Sequence, residues 1–432
     1  MNVRGTLIAL GVSCFLLSLI PQLSFLLYFS AFFYWVVLAL SLNRLNQRNR
    51  FQVLFLLSAG VSCTAFAFVV GELTLINIAV LVKANLGITS MLVGVSFLSL
   101  LPHPQQDKRN LLGVKGAVST WGSVHLLGAV INLSSVFLVG DRLQRSHPLS
   151  DAQLGIIVRA LTCAGFWSPF FASMAIAFSV APNASYSDLV SIGVPVSITA
   201  FLFSMWELKH TNRVDSFIGF PISLSSLLFP VFLASAVLVI HYQILKDMPI
   251  LSIVTFVCPL SVLGLLLIQG GKHAAQRKVR DHISFRLPNM INEVSLFISA
   301  GFMSASVSLL VGYLLGDSWS LFDSFGFWAA FSCYIAICII SLIGLHPIVG
   351  ISLMSALVPF EEVNNTLLAL VCISAWGVGT AIGPLSGINL SVAGKYELDN
   401  IKLSRLNIRY GVFMSAVVAV AMYAVVLLSE MQ

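Results

Sequence analysis

Two histidines stand inside otherwise apolar stretches. His125 lies in Trp121-Gly122-Ser123-Val124-His125-Leu126-Leu127-Gly128, and His346 in Gly344-Leu345-His346-Pro347-Ile348-Val349-Gly350. An imidazole titrates near neutrality, so within a membrane it can carry a proton or donate to an anion. The alternative is a buried histidine satisfied by hydrogen bonds. Two proline-bearing segments accompany them, Trp167-Ser168-Pro169-Phe170 and the run from Gly377 to Asn389, which contains Gly379, Thr380, Gly383, Pro384, Ser386 and Gly387. Proline removes a backbone donor and disfavours helix at the residue before it. In a bilayer the freed groups are tolerated only where protein or a wet cavity satisfies them, and half-helix N-termini there can face an anion. Ser168, Pro169, Thr380, Gly383, Pro384, Ser386 and Asn389, with Ser123 beside His125, therefore read as a substrate cradle; the alternative is a structural kink bridged by Ser and Thr side chains.

Three charges complete the chemical inventory, with Glu72, Glu293 and Lys83 as coupling candidates beside the two histidines. Glu72 and Glu293 each open a helix, where the dipole stabilises a carboxylate by about 0.3–1 kcal/mol. Lys83 follows Glu72 by eleven residues, which at ~100° per residue returns it to nearly the same face. It could neutralise an anionic substrate or replace a coupling cation, or else it marks the outer end of a span. Arg159 starts a span and is expected to snorkel.

The elements that must position these residues follow from composition. The chain has 432 residues, 58% hydrophobic and 9% charged, with mean hydropathy +0.96. A soluble protein carries about 25% charged residues, so a water-soluble enzyme is excluded. Runs such as Ile250 to Ile268 are apolar on every face, whereas a transmembrane β-strand alternates. The fold class is an all-α polytopic membrane protein. Cys14, Cys63, Cys163, Cys258, Cys333, Cys338 and Cys372 lie in apolar runs without a C-x-x-C pair, so they read as small core residues and no metal or cofactor is called for. The formal charge of +6 comes from 23 Lys and Arg spread over short loops. No basic cluster is interleaved with aromatics, so nucleic acid is not an expected partner.

Loop charge orients the chain by the positive-inside rule. Arg4, the Arg44–Arg50 loop, Lys108 to Lys115, Lys209 and Arg213, Lys272 to Arg286, and Lys395 to Arg409 are read as cytoplasmic. Asp188, Asp317 and Asp323 are read as outside. This gives about eleven spans, with the N-terminus in the cytoplasm and the C-terminus outside. Arg142 and Arg145 would face outward if the run before them crossed, so about 111–140 reads as a re-entrant hairpin. About 324–358, with Asp323 before it and Glu361-Glu362 after it, reads as a second, opposed hairpin.

Self-comparison supports an internal repeat. Glu72 matches Glu293 and His125 matches His346 at one common spacing, while Cys163 matches Cys372 and Trp167 matches Trp376 at a second. Ordered matches of Glu, His, Cys and Trp are far less expected by chance than matches of Leu or Val. The charge reading puts Glu72 near the outer face and Glu293 near the inner one, so the repeats are inverted. The boundaries are an extra helix over 1–21, repeat 1 over 22–210 with a broken helix at 155–181, and repeat 2 over 217–428 with a broken helix at 364–394. Inverted repeats with discontinuous helices are a signature of secondary transporters.

In this layout, and in the Gly-Pro run Gly377 to Asn389, the chain resembles the ion transporter superfamily. That group includes divalent-anion/sodium symporters, citrate carriers, arsenite-pump-type permeases and sodium/proton antiporters. The resemblance implies hairpin tips at Trp121–Gly128 and Gly344–Gly350, a substrate held between tips and helix breaks, and an elevator motion of the hairpin-bearing domain. The expectation is thus a secondary transporter of a small anionic solute in the bacterial inner membrane, coupled to protons. Its partners would be that solute and the lipid bilayer, with a homodimer left open. The rival is an integral-membrane enzyme acting on a lipid-linked substrate with Glu and His as acid and base.

Overall fold

A computed structural model of the chain describes residues 2–71, 74–100, 111–145, 147–211, 214–221, 225–316, 319–358 and 363–431. Glu72 lies outside the described residues, as do Lys108, Arg109, Arg213, Asp317, Glu361 and Glu362 of the topology reading. The helices are α1 Val3–Ser18, α2 Leu26–Ser41, α3 Gln47–Val70, α4 Leu75–Lys83, α5 Leu86–Ser96, α6 Gly113–Ile131, α7 Leu133–Leu143, α8 Asp151–Ala164 and α9 Ala172–Val180. They continue as α10 Tyr186–His210, α11 Ser225–Val239, α12 Ile250–Asp281, α13 Ile291–Leu315, α14 Phe327–Ile343, α15 Pro347–Leu357, α16 Asn365–Ile382, α17 Gly387–Tyr396 and α18 Asn400–Glu430. A two-stranded ladder pairs Leu111–Leu112 with Ile218–Gly219.

Among the described residues six helical stretches are long and apolar enough to cross a bilayer: Gln47–Val70, Leu75–Leu100, Tyr186–His210, Ile250–Leu315, Asn365–Tyr396 and Asn400–Glu430. The protein is a multi-pass membrane protein. Ile250–Leu315 holds both α12 and α13, and the remaining apolar helices are shorter, so these six stretches are not a count of the eleven spans read from the sequence. α1 and α2, at 16 residues each, fall short of the ~20 needed for a perpendicular crossing.

The chain divides into two compact units, each drawn from both halves of the sequence. The first comprises residues 1–101, 235–323 and 352–361. Here α1 packs on α2, α3 on α13 and α5 on α12, around Ile8, Phe15, Tyr34, Val37, Val93, Leu287 and Ile298. A side chain at Gly94 would press on the backbone of Thr255, so this glycine sets the close approach of α5 and α12.

The first unit also shows the local setting of Lys83. The apolar stretch Leu75–Leu100 is broken after Lys83, where Asn85 adopts φ 60° and the helix restarts. Trp35 Nε1 donates to Val82 O at 2.9 Å, and Asn85 Nδ2 to Phe297 O at 3.1 Å. Lys83 therefore ends α4 at a break within the apolar stretch Leu75–Leu100. Its ammonium lies 4.5 Å from the centroid of the Tyr28 ring, a cation–π contact. Glu293 is in the first turn of α13 and is exposed on this unit.

The second unit comprises residues 102–234, 324–351 and 362–432. α6 and α7 pack on each other and are joined at Asn132, whose φ of 49° turns the chain. Asparagine is among the few side-chain-bearing residues that tolerate positive φ. α14 ends at Gly344 with φ 110°, and α15 turns back, since a side chain on Gly350 would meet that of Ile337. Continued as one straight helix, these residues would stand about 20 Å apart. α8 and α9 are separated by residues 165–171, and α16 and α17 by Gly383 to Ser386. The cysteines are free thiols.

Candidate functional site

The second unit gathers both histidines and both helix breaks, and the arrangement recurs. α6 packs on α8, α14 packs on α16, and α16 in turn packs on α8 and α9. His125 lies 5.7 Å, centroid to centroid, from Trp167, and His346 lies 4.8 Å from Trp376 at 70°. These are the histidines and tryptophans that the self-comparison equates, so equivalent residues make equivalent contacts.

The two imidazoles are used differently. Trp167 Nε1 donates to His125 Nε2 at 3.0 Å, which makes that nitrogen an acceptor and leaves the proton on Nδ1, 2.9 Å from Ala160 O. Trp121 stacks on the same ring at 4.3 Å and 22°. His125 is thus a neutral ring engaged at both nitrogens. His346 Nδ1 accepts from Ile348 N at 3.2 Å and caps the start of α15. Among the described residues its Nε2–H has no partner.

The expected first tip needs correction. Trp121–Gly128 is helical within α6, and the turn lies at Asn132. The run could not show this because Gly122 and Gly128 read as turn residues, whereas a side chain at Gly128 would press on Leu161. Gly128 admits a packed neighbour and leaves the helix intact. Ser123 correspondingly back-bonds to Ser119 O at 2.7 Å and is spent within its own helix.

In and beside the first break five carbonyls take side-chain donors, while among the described residues none reaches Phe166 O or Pro169 O. Ala160 O takes His125, Cys163 O takes Ser197 at 2.9 Å, Gly165 O takes Ser173 at 2.6 Å, Trp167 O takes Tyr186 at 2.9 Å, and Phe170 O takes Asn132 Nδ2 at 3.2 Å. Ser168 Oγ donates to Ala129 O and accepts from Phe170 N, so it joins hairpin to break; Pro169 stands between them in sequence. Gly193 of α10 lies so near Phe166 O that a β-carbon there would collide with backbone. Gly193→Ala is therefore expected to cost about 1–3 kcal/mol through overpacking, read as a lower melting temperature in detergent; an unchanged midpoint would refute this packing.

The second break is satisfied in the same way. Asn389 Nδ2 lies 2.9 Å from Gly383 O and 3.1 Å from Ala381 O, Asn400 Nδ2 lies 2.8 Å from Pro384 O, and Ser404 Oγ donates to Ile382 O. Ser386 caps α17 by accepting from Asn389 N at 3.2 Å. Thr380 back-bonds to Trp376 O at 2.7 Å. A β-carbon on Gly383 would crowd Ser341 O and Gly379 O, so glycine lets α14 approach the break. Asn389 is fully buried, yet its Oδ1 has no partner.

Chemically, the breaks spend most of their carbonyls on protein donors and keep amides in reserve. Among the described residues no bond is made by the N–H groups of Gly387 and Ile388 at the start of α17, or of Ala172 and Ser173 at the start of α9. Helix N-termini with free amides favour negative charge.

Several residues that matter here escaped the sequence reading. Asn132 and Ser197 are polar residues in or beside apolar helices and Asn400 is one of several polar residues before α18, signals that go unread until the breaks they serve are located. Asp141 on α7 receives Lys395 Nζ at 2.6 Å and Tyr396 OH at 3.0 Å from α17. Arg159 is a correction: it does not snorkel but is 4% exposed, paired with Glu207 at 2.5 Å. Of the remaining charged candidates, Lys83 and Glu293 belong to the first unit, whereas both histidines belong to the second. Among the described residues no group of three or more His, Cys, Asp or Glu could hold a metal ion.

No protein-family model and no curated protein matches the chain. Among solved structures, its fold is similar to that of the YdaH transporter of Alcanivorax borkumensis, whose crystal structure is described as having an unusual topology. The identity is 12% and the TM-score 0.51, over 86% of this chain and 98% of that one. At that identity the likeness is one of fold.

Proposed function

We propose that the protein is a secondary active transporter that moves a small anionic solute across the cytoplasmic membrane, coupled to protons and working by an elevator motion of the hairpin-bearing unit. The observation that carries this reading is the pair of helix breaks, most of whose carbonyls take protein donors while the amides at the starts of α9 and α17 stay free. Such a site offers donors to an anion. His346 Nε2 adds a further donor and is the coupling candidate, whereas His125, engaged at both nitrogens, holds the first hairpin to the first break. In this reading Lys83 anchors its unit through Tyr28, and Glu293 is stabilised by the start of α13. The likeness to a transporter fold supports membrane transport in preference to lipid-linked enzymology, and membership of the ion transporter superfamily belongs to the same proposal.

Proteoliposomes loaded with a pH-sensitive dye test it. Addition of succinate, citrate or sulfate under an imposed pH gradient is expected to produce proton flux with at least one of them. His346→Ala should abolish that flux per folded molecule, with a thermal midpoint lowered only as far as the loss of a helix cap, about 0.5–2 kcal/mol, requires. Solute uptake driven by sodium alone and indifferent to His346 would refute proton coupling. Turnover of a lipid-linked substrate without any gradient would favour the enzyme.

A further inference from the structure

Apart from the breaks, the second unit contains a cavity of about 240 Å³ lined by the start of α8, the end of α10 and the first turns of α18. Its charged residues are Asp151, Arg159, Glu207, Arg405 and Arg409. The two carboxylates are already engaged, Glu207 by Arg159 at 2.5 Å and Asp151 by Lys402 at 2.7 Å. Among the described residues no carboxylate pairs with Arg405 or Arg409, which stand one helical turn apart on α18. The cavity therefore carries net positive charge, with two guanidinium forks free to bind.

We propose that this cavity binds a phosphate group, presented as the headgroup of an anionic phospholipid. Guanidinium forks match phosphate oxygens in bidentate fashion. The volume is below the roughly 300–1,000 Å³ of pockets that enclose drug-sized ligands, which fits a headgroup better than a larger metabolite. Ile408 and Val412, three and seven residues after Arg405 and hence on its face of α18, are 37% and 69% exposed. They give acyl chains an apolar strip beside the arginines. Basic pockets among membrane helices on the cytoplasmic side bind such headgroups, and the loop cations mark this as the cytoplasmic end. Free inorganic phosphate offers the same oxygens without the chains.

Native mass spectrometry of the full-length protein, titrated with palmitoyl-oleoyl-phosphatidylglycerol and separately with the matching phosphatidylcholine, tests the assignment. The expected preference for the glycerol lipid is about thirtyfold, the weight of two arginine contacts at a lipid surface. It should vanish in R405Q/R409Q and shrink in R405K/R409K, which keeps the charge but loses the forks, and should persist in R277Q/R280Q. Competition by inorganic phosphate, with thermal stabilisation by phosphate alone, would make free phosphate the source; lipid binding that phosphate does not displace supports the headgroup. Absence of any preference, or a preference unchanged in both R405Q/R409Q and R405K/R409K, would overturn the proposal.

Discussion

Arg159→Leu is expected to destabilise the protein by about 3–5 kcal/mol, the cost of removing one partner from a buried ion pair. The guanidinium is almost completely enclosed. It meets Glu207 at 2.5 Å, Asn407 Oδ1 at 2.9 Å and Leu406 O at 2.9 Å, and lies 5.1 Å from the Tyr410 ring centroid. These contacts tie α8, which leads into the first break, to α10 and α18. Without Arg159, Glu207 keeps its charge at the cavity wall with only one-fifth of its side chain exposed, and Asn407 Oδ1 loses its donor. The double variant R159L/E207L should recover most of the loss, because apolar replacement of both partners removes the uncompensated charge. Arg159→Lys should fall between them, since an ammonium cannot satisfy three acceptors with the geometry of a guanidinium. Unfolding midpoints in detergent check the series; if R159L and R159L/E207L melt together, the stranded-charge explanation fails.

What the sequence made legible here depended on how local the determining signal was. Membrane residence followed from composition, and both breaks were visible because Pro169 and Pro384 act on the backbone regardless of what surrounds them. The His125–Trp167 and His346–Trp376 contacts were foreshadowed by the matched order of these residues in the two halves. The first hairpin turn was missed because Gly122 and Gly128 carry the same composition signal whether a glycine makes a turn or admits a neighbour. Only tertiary packing distinguishes these uses, and it assigns the turn to Asn132. Arg159 was misread for a related reason. A cation at the start of a span looks like a snorkelling anchor until Glu207 and Asn407, far away in sequence, are brought against it. Lys83 was legible only as two alternatives, since nothing local to it announces the positive φ of Asn85.

Asn389→Ala is the substitution expected to affect both stability and transport. Its amide serves two purposes that pull on different atoms. Nδ2 bridges the carbonyls of Ala381 and Gly383 across the break, and each carbonyl left dry and unpaired costs about 1–3 kcal/mol. Oδ1, buried and unpartnered, is an acceptor in a region otherwise supplied with donors, and it is open to a hydrogen bond from a hydroxyl or carboxylic O–H of the solute. Asn389→Asp separates the two purposes, because a carboxylate keeps an acceptor but in its ionised form cannot donate to the two carbonyls. Both variants should melt below the parent. If the acceptor serves only the fold, transport per folded molecule should survive in both once the amount of folded protein is normalised. If Oδ1 meets the solute, Asn389→Ala should abolish proton-coupled flux per folded molecule, while Asn389→Asp should retain part of it and weaken anion uptake by repulsion. Equal flux in the two variants would remove Oδ1 from the mechanism and leave Asn389 as the brace of the helix break.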